Sequence, residues 1–498
     1  MRPPRISKRS AYRAVALVVV VAAATVGISL ALASTPRKPS QFNVQSATVG
    51  QPMPSGFVGL SMEFRGLEAY AGANPSAVSP PFLQLLRNLA PGQSPVLRIG
   101  GDGTDWTWYP VPGMAQPGGV KYSLNKTWLK VARSVAQTIH AKLILGIDLE
   151  ADSRRLAATE ANAFVNGIGR QSIEALEIGN EPELYGSFPW FKNAAGVHVH
   201  GRPRDYDFQN YKQDFSSFAG VMPRAPIAGP SSGSKVWNAQ LGALLSAEPK
   251  IRLVTLHAYP LKHCSAASHP TTAQLISPSA SAGLAASQAG YVAVARRHGR
   301  PLRIDEMNGI SCGGANGVSN SFASALWALD SLYQLARVGV AGVNMHTVPD
   351  TINEVIGSSQ VQGKWQATVH PEYYGMMMFA QAAPAGSRLL KVGGSLSGTS
   401  VWATRGTDGH IRVVVTNRRS SAQNVGIRIP AAHGPATVER LQAPGLGATS
   451  GVTLGGQSFG AATTTGLLSG ASSNSTVEPS GDDYVITLPG TSAVMLTI

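Results

Sequence analysis

At 498 residues the chain is too long for one ordinary domain, although an eightfold barrel with insertions can take most of it. Half of its net charge of +14 sits in a leader: Arg2, Arg5, Lys8, Arg9, Arg13, Arg37 and Lys38 leave +7 for everything from residue 39 onward. No cluster of Lys and Arg interleaved with aromatics follows, which argues against nucleic acid as a partner; a mildly basic surface at most helps attract an acidic polysaccharide.

The leader has the form of an export signal: a basic start, an uncharged run over residues 14–34, and a small-residue site at Ala31-Leu32-Ala33. The run is long for a cleaved signal and just long enough to span a bilayer, so residues 1–38 are expected to be a signal peptide or an N-terminal anchor. Either way the folded part is expected outside the cytoplasm, with a membrane as partner only if the leader stays uncleaved. In that setting the two cysteines, Cys264 and Cys312, are expected to be bonded. Neither has a spacing suited to zinc, and no metal site is expected.

Residues 39–54 carry a short alternating stretch around Phe42 and Val44 that cannot stand alone and should pair elsewhere. Apolar runs at 56–63, 95–101, 142–148, 173–180, 226–229, 253–257, 302–306 and 339–345 then read as strands, with helical spacing between them, as at 81–89 and 127–140. Such alternation is the mark of repeated β-α units, and eight of them predict a (β/α)8 barrel over 55–385. Beyond it, short alternating runs broken by Gly, Pro, Ser and Asp predict an antiparallel β-sandwich over 386–498, completed by the N-terminal strand. Residues 443–480 are rich in Gly, Ser and Thr and predict loop, with one strand near 451–454.

Chemistry is expected where two strands end. The fourth finishes in Gly179-Asn180-Glu181-Pro182, with proline stopping the strand, and the seventh in Ile304-Asp305-Glu306. Two glutamates across one barrel mouth suffice to cleave a glycosidic bond, one as proton donor and one as nucleophile or base. Period-two alternation turns Asp305 to the face opposite Glu306. Asn180 is placed to bond a sugar 2-hydroxyl. Trp106 and Trp108 could stack on sugar or simply pack.

These motifs resemble glycoside hydrolase family 79, which contains β-glucuronidases and the heparanases. The likeness spans most of the chain after the leader. It includes Leu97-Arg98-Ile99-Gly100-Gly101 with Thr104-Asp105, His257-Ala258-Tyr259, Cys312-Gly313-Gly314-Ala315, Pro371-Glu372-Tyr373-Tyr374 and Val452-Thr453-Leu454-Gly455-Gly456. The resemblance implies a retaining enzyme with Glu181 as acid/base and Glu306 as nucleophile, acting on a glycan or glycoside that contains glucuronic acid. It implies that Gly313, Gly314 and Tyr373 hold the uronate carboxylate, since glycine lets backbone N–H groups approach an anion and a phenol adds a neutral donor. It also places Glu63, His257 and Tyr259 in the sugar pocket, with Tyr259 toward Glu306. Cys312 stands where heparanases have glycine, which implies a loop tethered to Cys264.

The reading is therefore an exported retaining β-glucuronidase that removes terminal glucuronic acid without metal or organic cofactor. Two others stay open. One is an endo-acting, heparanase-like glycosaminoglycan hydrolase, for which the loop bearing Lys192, His198, His200, Arg202 and Arg204 supplies local positive charge. The other is a non-catalytic carbohydrate-binding protein on a barrel scaffold, against which both glutamates stand.

Overall fold

The computed structural model describes residues 40–498, so the expected leader lies outside the described residues. Eight parallel strands close into a barrel in chain order: Val58–Glu63, Val96–Gly100, Lys142–Ile147, Ile173–Ile178, Ile227–Ser232, Ile251–Ala258, Leu302–Met307 and Gly342–Thr347. All eight expected strands are present. They read as near-continuous apolar runs because both faces are covered; the first, second and seventh are buried at every position.

The barrel interior is layered. Val96, Ile144, Ala175, Ala228 and Leu253 form a small apolar floor near the strand starts. On the strands that close the ring, Arg303 donates to Asn344 (2.5 Å) and to the Gly56 carbonyl (2.9 Å), while Asn344 donates to the carbonyls of Leu60 and Val96 (3.0 and 2.8 Å). Both residues are buried and hydrogen-bonded there, as buried polar groups must be. The strands deliver their last side chains to the opposite end, where the site lies.

The C-terminal part is one antiparallel ten-stranded sheet folded over its own core, and the N-terminal strand Ser40–Val49 joins it between Arg388–Gly393 and Gln423–Arg428. Phe42, Val44, Val413, Val415, Ile427, Tyr484 and Leu496 fill that core. Val414 and Met495 point the other way and pack with the barrel's helices. The stretch expected to be mostly loop holds two short strands, Thr453–Leu454 and Ser475–Val477, and is anchored between them by Phe459, whose N–H donates to the Tyr374 hydroxyl at 3.0 Å. Among the described residues no helix is long and apolar enough to cross a membrane.

Helix Phe322–Val338 is buried on all sides over residues 322–335, because it is wedged between barrel and sheet. Trp402 of the sheet stacks on Tyr333 of this helix (centroids 5.2 Å, planes 4° apart) and its Nε1 donates to the buried Asp330 at 2.9 Å. Trp402→Ala is expected to cost about 3 kcal/mol, at the low end for loss of a packed tryptophan, measured as a lower urea midpoint. An unchanged midpoint would show that the sheet does not brace the barrel.

Candidate active site

An arginine in an apolar strand must find anions, and Arg98 of the second strand, fully buried, finds several. Its Nε lies 2.8 Å from Glu177 and 3.3 Å from Asp305; its Nη1 lies 2.5 Å from Glu306. Its Nη2 donates to Asn180 Oδ1 (2.8 Å) and Ser231 Oγ (3.0 Å). From the second strand, one planar fork thus reaches the ends of the fourth, fifth and seventh strands.

Asp305 corrects the alternation argument. Leu256 pairs with Ile304 and His257 with Glu306, so Asp305 is an extra residue on the seventh strand and the register shifts there. This bulge lets Asp305 and Glu306 turn toward the same guanidinium. Asp305 nevertheless lies too deep for a substrate to reach, being fully buried below the rim. Burial, then the neighbouring Glu177, raises Asp305 well above the carboxylate range, whereas Arg98 and a hydrogen bond from Asp305 overcome burial to lower Glu177. Of the two carboxyls, Asp305 is therefore the one whose neutral form is favoured and Glu177 the one whose charged form is favoured.

Glu306 accepts from the Tyr259 hydroxyl at 2.9 Å. Burial alone would raise it, but His346, His257, Arg98 and the Tyr259 hydrogen bond outweigh burial and hold it well below the usual range. His346 ends the eighth strand, 3.8 Å from Glu306 and 3.7 Å from Glu63. Burial pushes His346 itself down, so the lasting positive charges beside Glu306 are Arg98 and His257.

Glu181 sits on a sharp turn. Its backbone is left-handed (φ 44°), a conformation that costs a side-chain-bearing residue energy, and Pro182 behind it disfavours the ordinary helical alternative. The turn is fixed by the Glu181 N–H donating to the Ser231 carbonyl (2.8 Å) and the Leu184 N–H donating back to the Glu181 carbonyl (2.8 Å). The carboxylate accepts from His257 Nδ1 at 3.0 Å, and the same nitrogen is 3.8 Å from Glu306. Glu181, His257 and Glu306 bring one polar atom each within 4.8 Å of one another. Burial opposes charge on His257, but Glu306, the bond to Glu181 and Asp305 raise it to about 10. Nδ1 faces Glu181 and Nε2 faces Ser231 (3.0 Å), so both ring nitrogens are engaged within the site.

Glu63, ending the first strand, accepts from the Gly103 N–H, and a Cβ at Gly101 or Gly103 would collide with its carboxylate. Burial, Asp102 and Glu306 raise it well above the carboxylate range, against the Gly103 N–H and Arg98, which favour its charged form. Asn180 spends its Oδ1 on Arg98, which leaves its N–H2 as the group free to meet a ligand.

Gly313 and Gly314 lie on the rim loop after the seventh strand, and both need their positive φ (83° and 85°). The loop is held by a Cys264–Cys312 disulfide (Cα–Cα 5.2 Å), by the pairing of Leu261–Lys262 with Ile310–Ser311, and by a 2.8 Å bond between His263 Nδ1 and the Gly314 carbonyl. Tyr373 is a correction. It is fully buried in helix Pro371–Ala382, its hydroxyl donates to the Leu85 carbonyl (2.7 Å), and its ring packs on Phe459 (5.5 Å), so it cannot reach a ligand. Trp108 is likewise packing, buried with Val111, Val120 and Leu156. Trp106 is half-buried, with the Lys121 ammonium 3.3 Å from its ring centre.

Arg98, Ser231 and His346 were not singled out as site residues by the sequence. The signal for Arg98 was present: a charge between Leu97 and Ile99 in a buried strand demands partners. Tyr373→Phe is expected to cost roughly 1–3 kcal/mol of stability by orphaning the Leu85 carbonyl, read by thermal unfolding, with the hydrolytic rate unchanged. Selective loss of affinity for a uronide would return Tyr373 to the site.

Residues 399–495 match the family described as Glycosyl hydrolase family 79 C-terminal beta domain. An Aspergillus niger protein named Beta-glucuronidase is 24% identical over 466 residues, covering 82% of this chain and 83% of its own length. A Neurospora crassa Beta-glucuronidase is 23% identical over 354 residues, covering 61% of this chain and 59% of its own. Among solved structures, a 4-O-α-L-rhamnosyl-β-D-glucuronidase from Fusarium oxysporum, in a Rha-GlcA complex, superimposes with TM-score 0.75 at 21% identity, over 92% of this chain and 100% of that one. A family 51 arabinofuranosidase from Xanthomonas axonopodis gives 0.65 at 14% identity, over 92% and 99%. The barrel alone does not choose among such enzymes; the matched C-terminal sheet and the relatives named Beta-glucuronidase do, and together they support glycoside hydrolase family 79 for this chain.

Proposed function

We propose that this chain is an exported, retaining β-glucuronidase that releases terminal β-linked glucuronic acid by double displacement. The observation that carries the retaining course is the spacing: Glu181 and Glu306 each bring a carboxylate oxygen within 4.8 Å of the other. An inverting pair stands roughly 6.5–9.5 Å apart to admit a water, and a retaining pair about 5–5.5 Å. The glucuronide preference is supported by the names of the curated relatives and by the ligand of the Fusarium oxysporum structure.

In the first step Glu306, kept ionised by Arg98 and His257, attacks the anomeric carbon. The bond to the leaving oxygen breaks as Glu181 gives that oxygen its proton, leaving a sugar ester on Glu306. In the second step Glu181 takes a proton from water, the water attacks the same carbon, and Glu306 is released. Tyr259 holds the nucleophile in place, and the Asn180 N–H2 reaches the sugar beside the reacting carbon. The N–H groups of Gly313 and Gly314 receive the uronate carboxylate, without Tyr373. An extracytoplasmic place suits the basic and apolar leader and the Cys264–Cys312 bond.

The endo-acting reading loses one of its five basic residues: Arg202 is buried against Asp214 (2.9 Å) and the carbonyls of Leu149 and Glu150 (2.8 and 3.0 Å), out of reach of a sulfate, whereas Lys192, His198 and Arg204 are exposed.

Hydrolysis of p-nitrophenyl β-glucuronide is expected to exceed that of the β-glucoside at least tenfold. Glu306→Gln should lower kcat by roughly 10³-fold, about 4 kcal/mol of barrier, and NMR should find the β-anomer of the free sugar first. Equal rates on the two substrates would remove the uronate preference, and an α-anomer formed first would remove retention.

A lysine cannot span the partners of the Arg98 fork. In Arg98→Lys the Glu306 carboxyl, now held low, rises toward its ordinary range. The acidic limb of kcat/KM therefore moves to higher pH, and kcat falls about 10- to 100-fold, on the scale of a lost charged hydrogen bond. A pH profile with its acidic limb in place would show that Arg98 does not set the ionisation of the nucleophile.

A further inference from the structure

The loop that carries Glu181 and the loop fastened beside it hold exposed apolar side chains. Among the described residues seven large hydrophobics are exposed, and four of them, Leu184, Phe188, Val197 and Val236, lie on the two loops after the fourth and fifth strands. Leu184 follows the acid/base by three residues, and the Phe188 N–H donates to the Leu184 carbonyl (2.7 Å), so both side chains rise from one face of the same turn. Val236 belongs to the second loop, on the short helix Lys235–Asn238.

The two loops are fastened side by side. The Gly233 N–H donates to Glu183 at 2.7 Å, and a Cβ on Gly233 would come 3.2 Å from Glu181 Oε1. Tyr185 packs on Tyr206 (6.4 Å) and Tyr206 on Trp237 (6.1 Å), an aromatic chain joining the neighbour of Leu184 to the neighbour of Val236. Tyr185, Tyr206 and Trp237 bury themselves in that weld, while Phe188 and Val236 stay 66% and 73% exposed.

The leaving group departs on this side, because Glu181 protonates it. The Glu181 side chain is 26% exposed against 10% for Glu306, so the pocket opens toward the acid/base. With Arg202 tied up inside the loop, the exposed side chains that follow Glu181 on its own turn, Leu184 and Phe188, offer a leaving group apolar area, while Lys192, Arg204 and Lys235 are the exposed cations of the same two loops. Clustered apolar exposure of this kind marks a binding surface.

We propose that Leu184, Phe188 and Val236 form the leaving-group subsite, and that it selects glucuronides of apolar alcohols or phenols over those of sugars. The proposal rests on the glucuronidase reading above and adds the class of aglycone.

Methyl and octyl β-D-glucuronide, the latter below its aggregation concentration, test it, since their alcohols are leaving groups of nearly equal basicity. The expected kcat/KM is at least tenfold higher for octyl, mainly through KM. Phe188→Ser with Val236→Ser should bring the octyl/methyl ratio toward one, while Val485→Ser, an exposed apolar site on the C-terminal sheet, keeps it. A ratio near one in the unaltered protein, or a ratio that the double variant does not move, overturns the subsite and leaves the glucuronidase reading standing. Cleavage of methyl and octyl β-glucosides instead of the glucuronides overturns that reading, and the ratio on the glucosides still decides the subsite.

Discussion

A guanidinium sealed inside the barrel constrains everything around it. Arg98 cannot lose its charge, so it must be matched by anions at close range, and the strand ends that supply them are thereby fixed relative to one another. Glu177 and Glu306 supply the charge; Asp305, 3.3 Å from the guanidinium, is pushed well above the carboxylate range by burial and by Glu177, so it resists adding a third negative charge. This division has a chemical consequence. When Glu306 becomes an ester in the proposed cycle, Arg98 still faces an ionised Glu177, so a neutral intermediate does not strand a buried cation. The pair beneath the nucleophile lets its charge come and go.

Preorganisation at the mouth is achieved with backbone that is unfavourable in isolation. Glu181 and Ser231 both adopt positive φ, and the bond between them holds the proton donor over the cleft. Glu63 depends on glycine at 101 and 103 for the room its carboxylate occupies. Strain of this sort persists only where surrounding structure over-determines it. Here the barrel, whose strands are covered on both faces, supplies that rigidity, and the stacked Tyr333–Trp402 contact extends it into the sheet domain.

The eight strands were legible because buried parallel strands must be apolar runs, and a run ending in Asn-Glu-Pro or Asp-Glu announces its own limit. What escaped the sequence depended on tertiary contact. Alternation assumes an unbroken ladder, and one extra residue at Asp305 defeats it. Tyr373 was read by family likeness as a ligand contact, yet a tyrosine in a helix covered on every side has only a neighbouring carbonyl to bond, and Leu85 provides it. The family assignment needed relatives as well as motifs, since a barrel with two acids is common to many glycosidases.

The rim shows two ways of preparing for a substrate. After the sixth and seventh strands, the Leu261–Lys262 and Ile310–Ser311 segments pair above the barrel mouth, and the Cys264–Cys312 bond closes the pair five and six residues beyond Tyr259 and Glu306. The amides of Gly313 and Gly314 are thus fixed with respect to the nucleophile, which suits the recognition of a small anion, where a misplaced donor is of little use. After the fourth and fifth strands, an aromatic weld holds up an open apolar wall beside Glu181. Apolar recognition tolerates imprecise fit because burial is non-directional. A rim rigid and polar at one side, broad and apolar at the other, favours an enzyme strict about its sugar and, among apolar leaving groups, lenient about their shape.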